Sequence, residues 1–393
     1  MRIAGIQPPR LRTLDESERS ATWLELFYDL VFVAGVAVLG GRLAVNPTWE
    51  GLLSYSAYFA LLWWLWASHT FYADRFDTDD LVYRLVAGAQ MIAIVIIAAS
   101  LSLDSGSTLA FAIGYATARL TLLALYARAY RHVDVARVLC AGYLKGFGTA
   151  AVFWIAAIFV PPPARFWVWG IALAIDLATP YVMRREQARV PLDVSHLPER
   201  FGLFTILVLG ESIAAAIVGL GHVHWDFVAT VTTVVGVVVA TSLWWIYFDN
   251  LDGFNIRRRG DERNWRPTVW IYSHLPLAIS IAVAGVGVEH AIVAAAHPEE
   301  WHDAERWLLV GAVGLALLSM AVILEASIRP DDRDTGDIIR ARLIGVACLA
   351  VVGLLGVLGP LGVVCLVAVV VVGQVVADFV LSNRTASDEI EAG

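Results

Sequence analysis

The sequence predicts an all-α, polytopic integral membrane protein of about twelve transmembrane helices, with a tandem duplication of a six-helix unit. Three observations lead there. Apolar residues make up 59% of the 393 positions and charged residues 16%, with a mean hydropathy of +0.68; soluble domains carry about 25% charge. The apolar residues fall in runs near the ~20 residues that a helix needs to cross a bilayer. Basic residues are concentrated in alternate gaps between those runs, as the positive-inside rule requires. Such a composition argues against secreted, nucleic-acid-binding and soluble metabolic proteins.

In order, the expected spans are 24–44, 52–72, 82–103, 108–127, 138–160, 166–183, 201–220, 227–248, 269–293, 307–327, 343–358 and 361–381. Only Gly359 and Pro360 separate the last two, which must form a tight hairpin unless one stops short. Residues 1–22 are polar and lack the apolar core of a cleavable signal, so the first apolar stretch is expected to act as the insertion signal, and 1–22 and 383–393 form the terminal tails. The transmembrane halves are 23–190 and 191–382. With the N-terminus inside, 22 of the 27 arginines lie in cytoplasmic segments, whereas Arg42 and Arg165 lie outside and Arg306 at the boundary. A bacterial inner membrane with both termini cytoplasmic is the expected location. Cys140, Cys348 and Cys365 form neither a disulfide framework nor a zinc pattern and are expected to be packing thiols.

Duplication is suggested by Leu-Phe-x-x-Leu-Val at Leu26–Val31 and Leu203–Val208, and by the Trp-Trp runs at 63–66 and 244–247. Each Trp run is followed by Asp-x-x-Asp, at Asp74/Asp77 and Asp249/Asp252. The Trp runs are expected to pack and to anchor the interface.

Three segments together carry a resemblance: Glu25-Leu-Phe-Tyr-Asp-Leu-Val-Phe-Val33, Asp74-Arg-Phe-Asp-Thr-Asp-Asp80 and Glu199-Arg-Phe-Gly-Leu-Phe-Thr-Ile-Leu-Val-Leu-Gly-Glu-Ser212. In order and spacing they resemble the bacterial low-temperature-requirement protein A family over nearly the whole chain, with Tyr28 where that family often has a second Phe. The resemblance implies a multi-pass inner-membrane protein linked to growth in the cold, and it supplies no agreed substrate. It marks Glu25, Asp29, Asp74, Arg75, Asp77, Asp80, Glu199, Arg200, Gly210 and Glu211 as signature positions. Major facilitator transporters share a twelve-span plan, but the acidic run Asp77, Asp79, Asp80 after Asp74-Arg75 does not fit their Gly- and Arg-rich loop.

Charge inside the spans is the functional signal, because each such residue costs about 2.5–3.5 kcal/mol on insertion scales. Asp176 and Glu211 fall near mid-depth with no basic residue evident at their level. Pro180 removes the donor to the Asp176 carbonyl, and Ser212 adds a hydroxyl beside Glu211. Glu25 and Asp29 share a helix face nearer the cytoplasm, at a depth similar to His69, His274 and the charge partners Arg84, Arg119 and Lys145; Asp29 is expected to pair with Arg84 or Arg119. Thr78 or Asp79 is expected to cap the third span. On the outer side His222, His224, His290, His297 and His302 mingle with acids and form candidates for pH sensing.

These features point to movement of protons or small cations through a site with mid-membrane acids. A receptor or scaffold for the envelope or cold adaptation, without transport, is the alternative. A membrane enzyme acting on lipid or an envelope precursor is less favoured, since no nucleophile–base pair or metal triad is evident. The sequence implies a lipid environment, no cofactor or metal and no nucleic-acid partner, and it leaves the oligomeric state open.

Overall fold

The computed structural model describes residues 5–11, 21–76, 78–102, 107–190, 192, 196–249, 265–327 and 333–392. Among these the chain is all-helical: α1 (Trp23–Val45), α2 (Trp49–Arg75), α3 (Leu81–Ser100), α4 (Thr108–His132), α5 (Arg137–Ala156), α6 (Ala164–Val182), α7 (Arg184–Gln187), α8 (His196–His222), α9 (Phe227–Asp249), α10 (Arg266–Ala296), α11 (Asp303–Ser327), α12 (Arg333–Leu354) and α13 (Pro360–Ala392).

Local chemistry sets several helix starts. Thr22 and Glu25 form a capping box on α1: the Thr22 amide donates to Glu25 Oε2 at 2.8 Å, and the Glu25 amide to Thr22 Oγ1 at 3.3 Å. Asp80, rather than Thr78 or Asp79, caps α3, accepting from the Tyr83 amide at 3.0 Å. Asp80 has the extended backbone of an N-cap, with φ of −109° and ψ of 172°, which aims its carboxylate at the first turn. Ser107 caps α4, and Pro360 opens α13.

Nine helices among the described residues are long and apolar enough to cross a membrane: α1, α3, α4, the segment around α5, α8, α9, α10, α11 and the first part of α13. The expectation of twelve is not confirmed. The polar aromatics of α2, the Arg165 and Asp176 of α6, and the Asp337, Arg340 and Arg342 of α12 lower their apolar character. The tandem duplication is likewise not confirmed. Its two Trp runs occupy unlike settings, Trp63, Trp64 and Trp66 being fully buried while Trp244 and Trp245 are 44% and 48% exposed. The first run therefore packs, and only the second could anchor an interface. Of the three thiols only Cys140 is buried, and Cys348 is exposed, so packing accounts for one of them.

The chain divides into two compact units. The first holds α1 to Leu39, α2 from Ala57, and α3 onward as far as Leu203 in α8. Helices α3, α4, α5 and α6 pack in succession within it. Every residue of α2 from Leu61 to Arg75 is buried, so α2 is its central post. The second unit holds Gly40–Ser56, α8 from Phe204, α9 and α10–α13. There α9, α10, α11, α12 and α13 form a closed ring of neighbours, since α13 returns to α9. Close approach of α10 and α11 depends on Gly287, where a Cβ atom would lie 2.7 Å from Leu309 Cα.

Gly287→Ala should therefore destabilise the protein by about 1–3 kcal/mol. Gly311→Ala, on a face with open space, should change little. Denaturation of the two variants in detergent, read by tryptophan fluorescence, makes the comparison; equal midpoints would contradict this account of the α10–α11 contact.

Candidate functional site

Three separated segments meet in the first unit. From α1 come Glu25 and Asp29, one helical turn apart and both buried. The buried post α2 supplies Trp66 and, two turns further on, Asp74. The first turn of α8 supplies His196 and Arg200, four residues apart and hence on one face. Pro198 is tolerated there because first-turn amides need no intrahelical acceptor.

The contacts form a chain. His196 Nδ1 lies 3.0 Å from Asp74 Oδ1, and its Nε2 lies 3.6 Å from Glu25 Oε2. Arg200 Nη1 is 3.4 Å from Glu25 Oε1, and its Nη2 donates to Asp29 Oδ1 at 2.5 Å. The Trp66 indole donates to the same Asp29 oxygen at 2.7 Å. All five ionisable members are at most 2% exposed. Asp29 thus takes Arg200 as its partner rather than Arg84 or Arg119. Arg84 instead pairs with Asp79 at 2.6 Å on the surface. Among the described residues, Tyr28 Oη, Asp29 Oδ2 and Arg200 Nε have no hydrogen-bond partner. Buried polar atoms of this kind are costly and call for a physical explanation.

A second buried pair lies further along the unit. Arg119 of α4 forms a salt bridge with Asp176 of α6, and both side chains are fully buried. The Trp154 indole donates to the other Asp176 oxygen at 3.1 Å. Arg119 Nη1 donates to Ser68 Oγ at 2.9 Å, and its guanidinium carbon sits 4.6 Å above the Phe147 ring. Asp176 therefore has the cation that span counting denied it. Helix α4 runs on to His132, which puts Arg119 at mid-helix instead of near one end. Ser68 is two residues from Trp66, so α2 carries a donor or acceptor to each cluster. Between them His69 lies under the Tyr28 ring at 4.3 Å and meets the Tyr83 hydroxyl at 3.3 Å.

The remaining signature residues frame this core. Arg75 donates to the Val190 carbonyl at 3.1 Å and to Gln187 Oε1 at 2.7 Å, holding the segment that leads toward α8. Glu199 accepts from the Ala21 amide at 3.2 Å. Asp80 accepts from Arg128 and from the Gln7 amide, while Arg128 also donates to the Gln7 carbonyl and Leu11 bridges to Phe76. These contacts strap residues 5–11 onto the end of the unit. Burial opposes ionisation of Asp80, yet Arg128 and the Tyr83 and Gln7 amides together hold its carboxyl below the usual range. Asp77 lies outside the described residues, as does Asp252 of the second Asp-x-x-Asp.

Other expected site residues stand apart from the clusters. Lys145 is exposed and forms no ion pair among the described residues. In the second unit Glu211 is half-buried and makes no hydrogen bond or ion pair among the described residues, while the Ser212 hydroxyl donates to the Leu209 carbonyl of its own helix at 2.7 Å. Gly210, also in the signature, has open space at its Cβ position. His274 is buried against the Tyr247 hydroxyl at 3.0 Å and the Trp270 carbonyl at 2.7 Å. His297 and His302 sit 3.9 Å from Glu299 and Glu305, and His224 is in a left-handed turn with φ of 50°. His222 is exposed and His290 half-buried. No group of three or more His, Cys, Asp or Glu among the described residues is placed to hold a metal ion.

Sequence reasoning missed His196, although its position four residues before Arg200 puts it on the same helix face. It also missed the indole donors Trp66 and Trp154, and a buried group in the second unit: Arg342 with Gln374 at 2.9 Å and with Asp378.

The fold and this buried ionic core define a multi-pass α-helical membrane protein whose interior charges are paired within the bundle. The chain belongs to the bacterial low temperature requirement A protein family, which it matches over residues 20–376. It is also similar to an uncharacterised protein of Rhizobium meliloti (strain 1021), with 27% identity over 307 residues that cover 73% of each chain.

The linkage through Asp80 has a definite sign. Its depressed folded-state value means the contribution is present above the unfolded value of about 3.9 and is lost as pH falls through the folded one. Asp80→Asn at neutral pH should loosen residues 5–11, and strong acid should do the same in the wild type. Limited proteolysis of the N-terminal segment should be several-fold faster in the variant; equal rates would show that Asp80 does not hold the strap.

Proposed function

We propose that this protein moves protons across the bacterial inner membrane through the buried ionic core of its first unit. The observation that carries the reading is the continuous set Asp74, His196, Glu25, Arg200, Asp29 and Trp66, joined along α2 to Ser68, Arg119 and Asp176. Stability alone does not account for it, because buried ion pairs can often be replaced by apolar residues at no cost or with a gain. Protons suit it better than metal cations. Its carboxylates are engaged by guanidinium, imidazole and indole donors, which a dehydrated cation would have to displace, whereas a proton passes between bonded groups. Glu211, half-buried and without a bonded partner among the described residues, is the matching acid in the second unit.

Twelve spans with both termini cytoplasmic accompany this reading. A helix enclosed like α2 need not be apolar to cross, because it meets protein instead of lipid. The arginine asymmetry favours an even number of crossings.

Reconstituted into liposomes with an internal pH dye, the protein should dissipate a pH gradient faster than empty vesicles do. Asp29→Asn and Asp176→Asn should insert and fold with lowered thermal stability, because each leaves a buried guanidinium short of its counter-charge, and should lose at least about tenfold of that flux, the scale on which single relay groups act. Single cysteines at Gly221 and Gly260, in a cysteine-free background, should label from opposite sides. Wild-type vesicles no leakier than empty ones would end the transport reading, and outside labelling at position 260 would end the topology.

A further inference from the structure

We infer that His196 is the residue that exchanges protons with the aqueous side and loads the relay, an assignment that rests on the proton-transport reading above. The geometry is that of an imidazole clamped between two buried carboxylates, Asp74 at 3.0 Å on Nδ1 and Glu25 at 3.6 Å on Nε2. A neutral imidazole has one N–H and can satisfy one of these partners; the other would face a lone pair. The imidazolium has two, donating one to Asp74 and turning its charge and the other N–H toward Glu25. The clamp therefore holds the charged ring in a place where burial would otherwise expel the charge.

The charges around the ring agree. From α1 it faces Glu25, with Asp29 beyond on Arg200. On α2 are Asp74, Arg75 and His69, and on its own helix Glu199 and Arg200. Of these, Glu25, Asp29 and Asp74 are buried carboxylates, whereas Arg75 and Arg200 are buried guanidiniums. Among the described residues, three buried carboxylates stand against two buried guanidiniums, and a second proton on His196 offsets that excess of negative charge. Each proton it releases must be taken up within the set or replaced from outside. Arginine cannot fill that role, because it holds its proton at any accessible pH.

One step is favoured by the distances. The Nδ1 proton passes to Asp74 Oδ1 across the 3.0 Å contact, leaving a neutral ring whose Nε2–H still faces Glu25. The proton is now on the Asp74 carboxyl, the net charge of the set is unchanged, and Nδ1 is open to a new proton. His196 is the first residue of α8, and Glu25 lies in the first turn of α1 within a capping box, so both stand at the ends of their helices, where the fully buried ring is one helix end away from the loops.

Two substitutions separate exchange from charge balance. His196→Arg keeps the positive charge and cannot release it. Glu25→Gln removes one carboxylate from the clamp and preserves the capping box, in which Gln substitutes for Glu. Both proteins would be reconstituted as full chains in pH-dye liposomes beside the wild type, with folding checked by size exclusion and thermal melting. His196→Arg should fold and lose at least tenfold of the wild-type flux. Glu25→Gln should retain a fraction of the flux, with the midpoint of its pH profile shifted to lower pH by about one unit or more, since an opposite charge at this range is worth that much. Wild-type flux in His196→Arg overturns the assignment and leaves transport standing. An unshifted profile in Glu25→Gln overturns it too, and serves if His196→Arg fails to fold. Absence of flux in the wild type overturns both readings together.

Discussion

A guanidinium removed from water is tolerable only where carboxylates meet it, and Arg200 meets two of them. Its contacts to Glu25 and Asp29 fix the first turn of α8 against the first two turns of α1, and the Trp66 indole adds α2 to the same oxygen. Neither partner can be shifted a residue along its helix without stranding a charge in a setting where that costs several kcal/mol. Register among the three helices is thus set by electrostatics, while aromatic packing of Trp63 and Trp66 against Phe201 fills the space around it.

The same logic repeats across the first unit. Arg119 and Asp176 join α4 to α6, Arg128 and Asp80 join α4 to the start of α3, and Arg75 holds Val190 and Gln187. Each buried cation has fixed partners, and α2 runs between them with all of its lower half enclosed. Such a core resists water and lipid and still contains groups that can exchange protons. Stability and transport place opposite demands on it: rigid pairing favours the first, and a proton that can leave favours the second. His196 reconciles them, being a member that can give up and regain a proton without leaving its neighbours.

Much of the architecture was legible in the sequence. Length and periodicity of the apolar runs gave the helices, and the four-residue spacing of Glu25 and Asp29 placed both on one face. The three signature segments were visible as motifs, and what they do together was not. Asp29 and Arg200 are 171 residues apart, and no local pattern encodes that they touch. Depth counting misplaced Arg119 because the expected span ended at 127 while α4 continues to His132. His196 fell before the expected start of its span at 201, and so escaped notice as a membrane residue. The Trp run of α2 was read as packing, but the donor role of Trp66 depends on which way one indole points.

The central claim is that buried pairs such as Arg119–Asp176, beyond fixing helix register, are retained for proton movement and not for stability. Replacing Arg119 and Asp176 together by apolar residues of similar size, Arg119→Met with Asp176→Leu, tests it most directly. Either single change strands a buried charge and should cost about 3–5 kcal/mol. The double variant should recover wild-type thermal stability and yet carry no proton flux in liposomes. A double variant that is stable and still conducts at the wild-type rate would contradict the account.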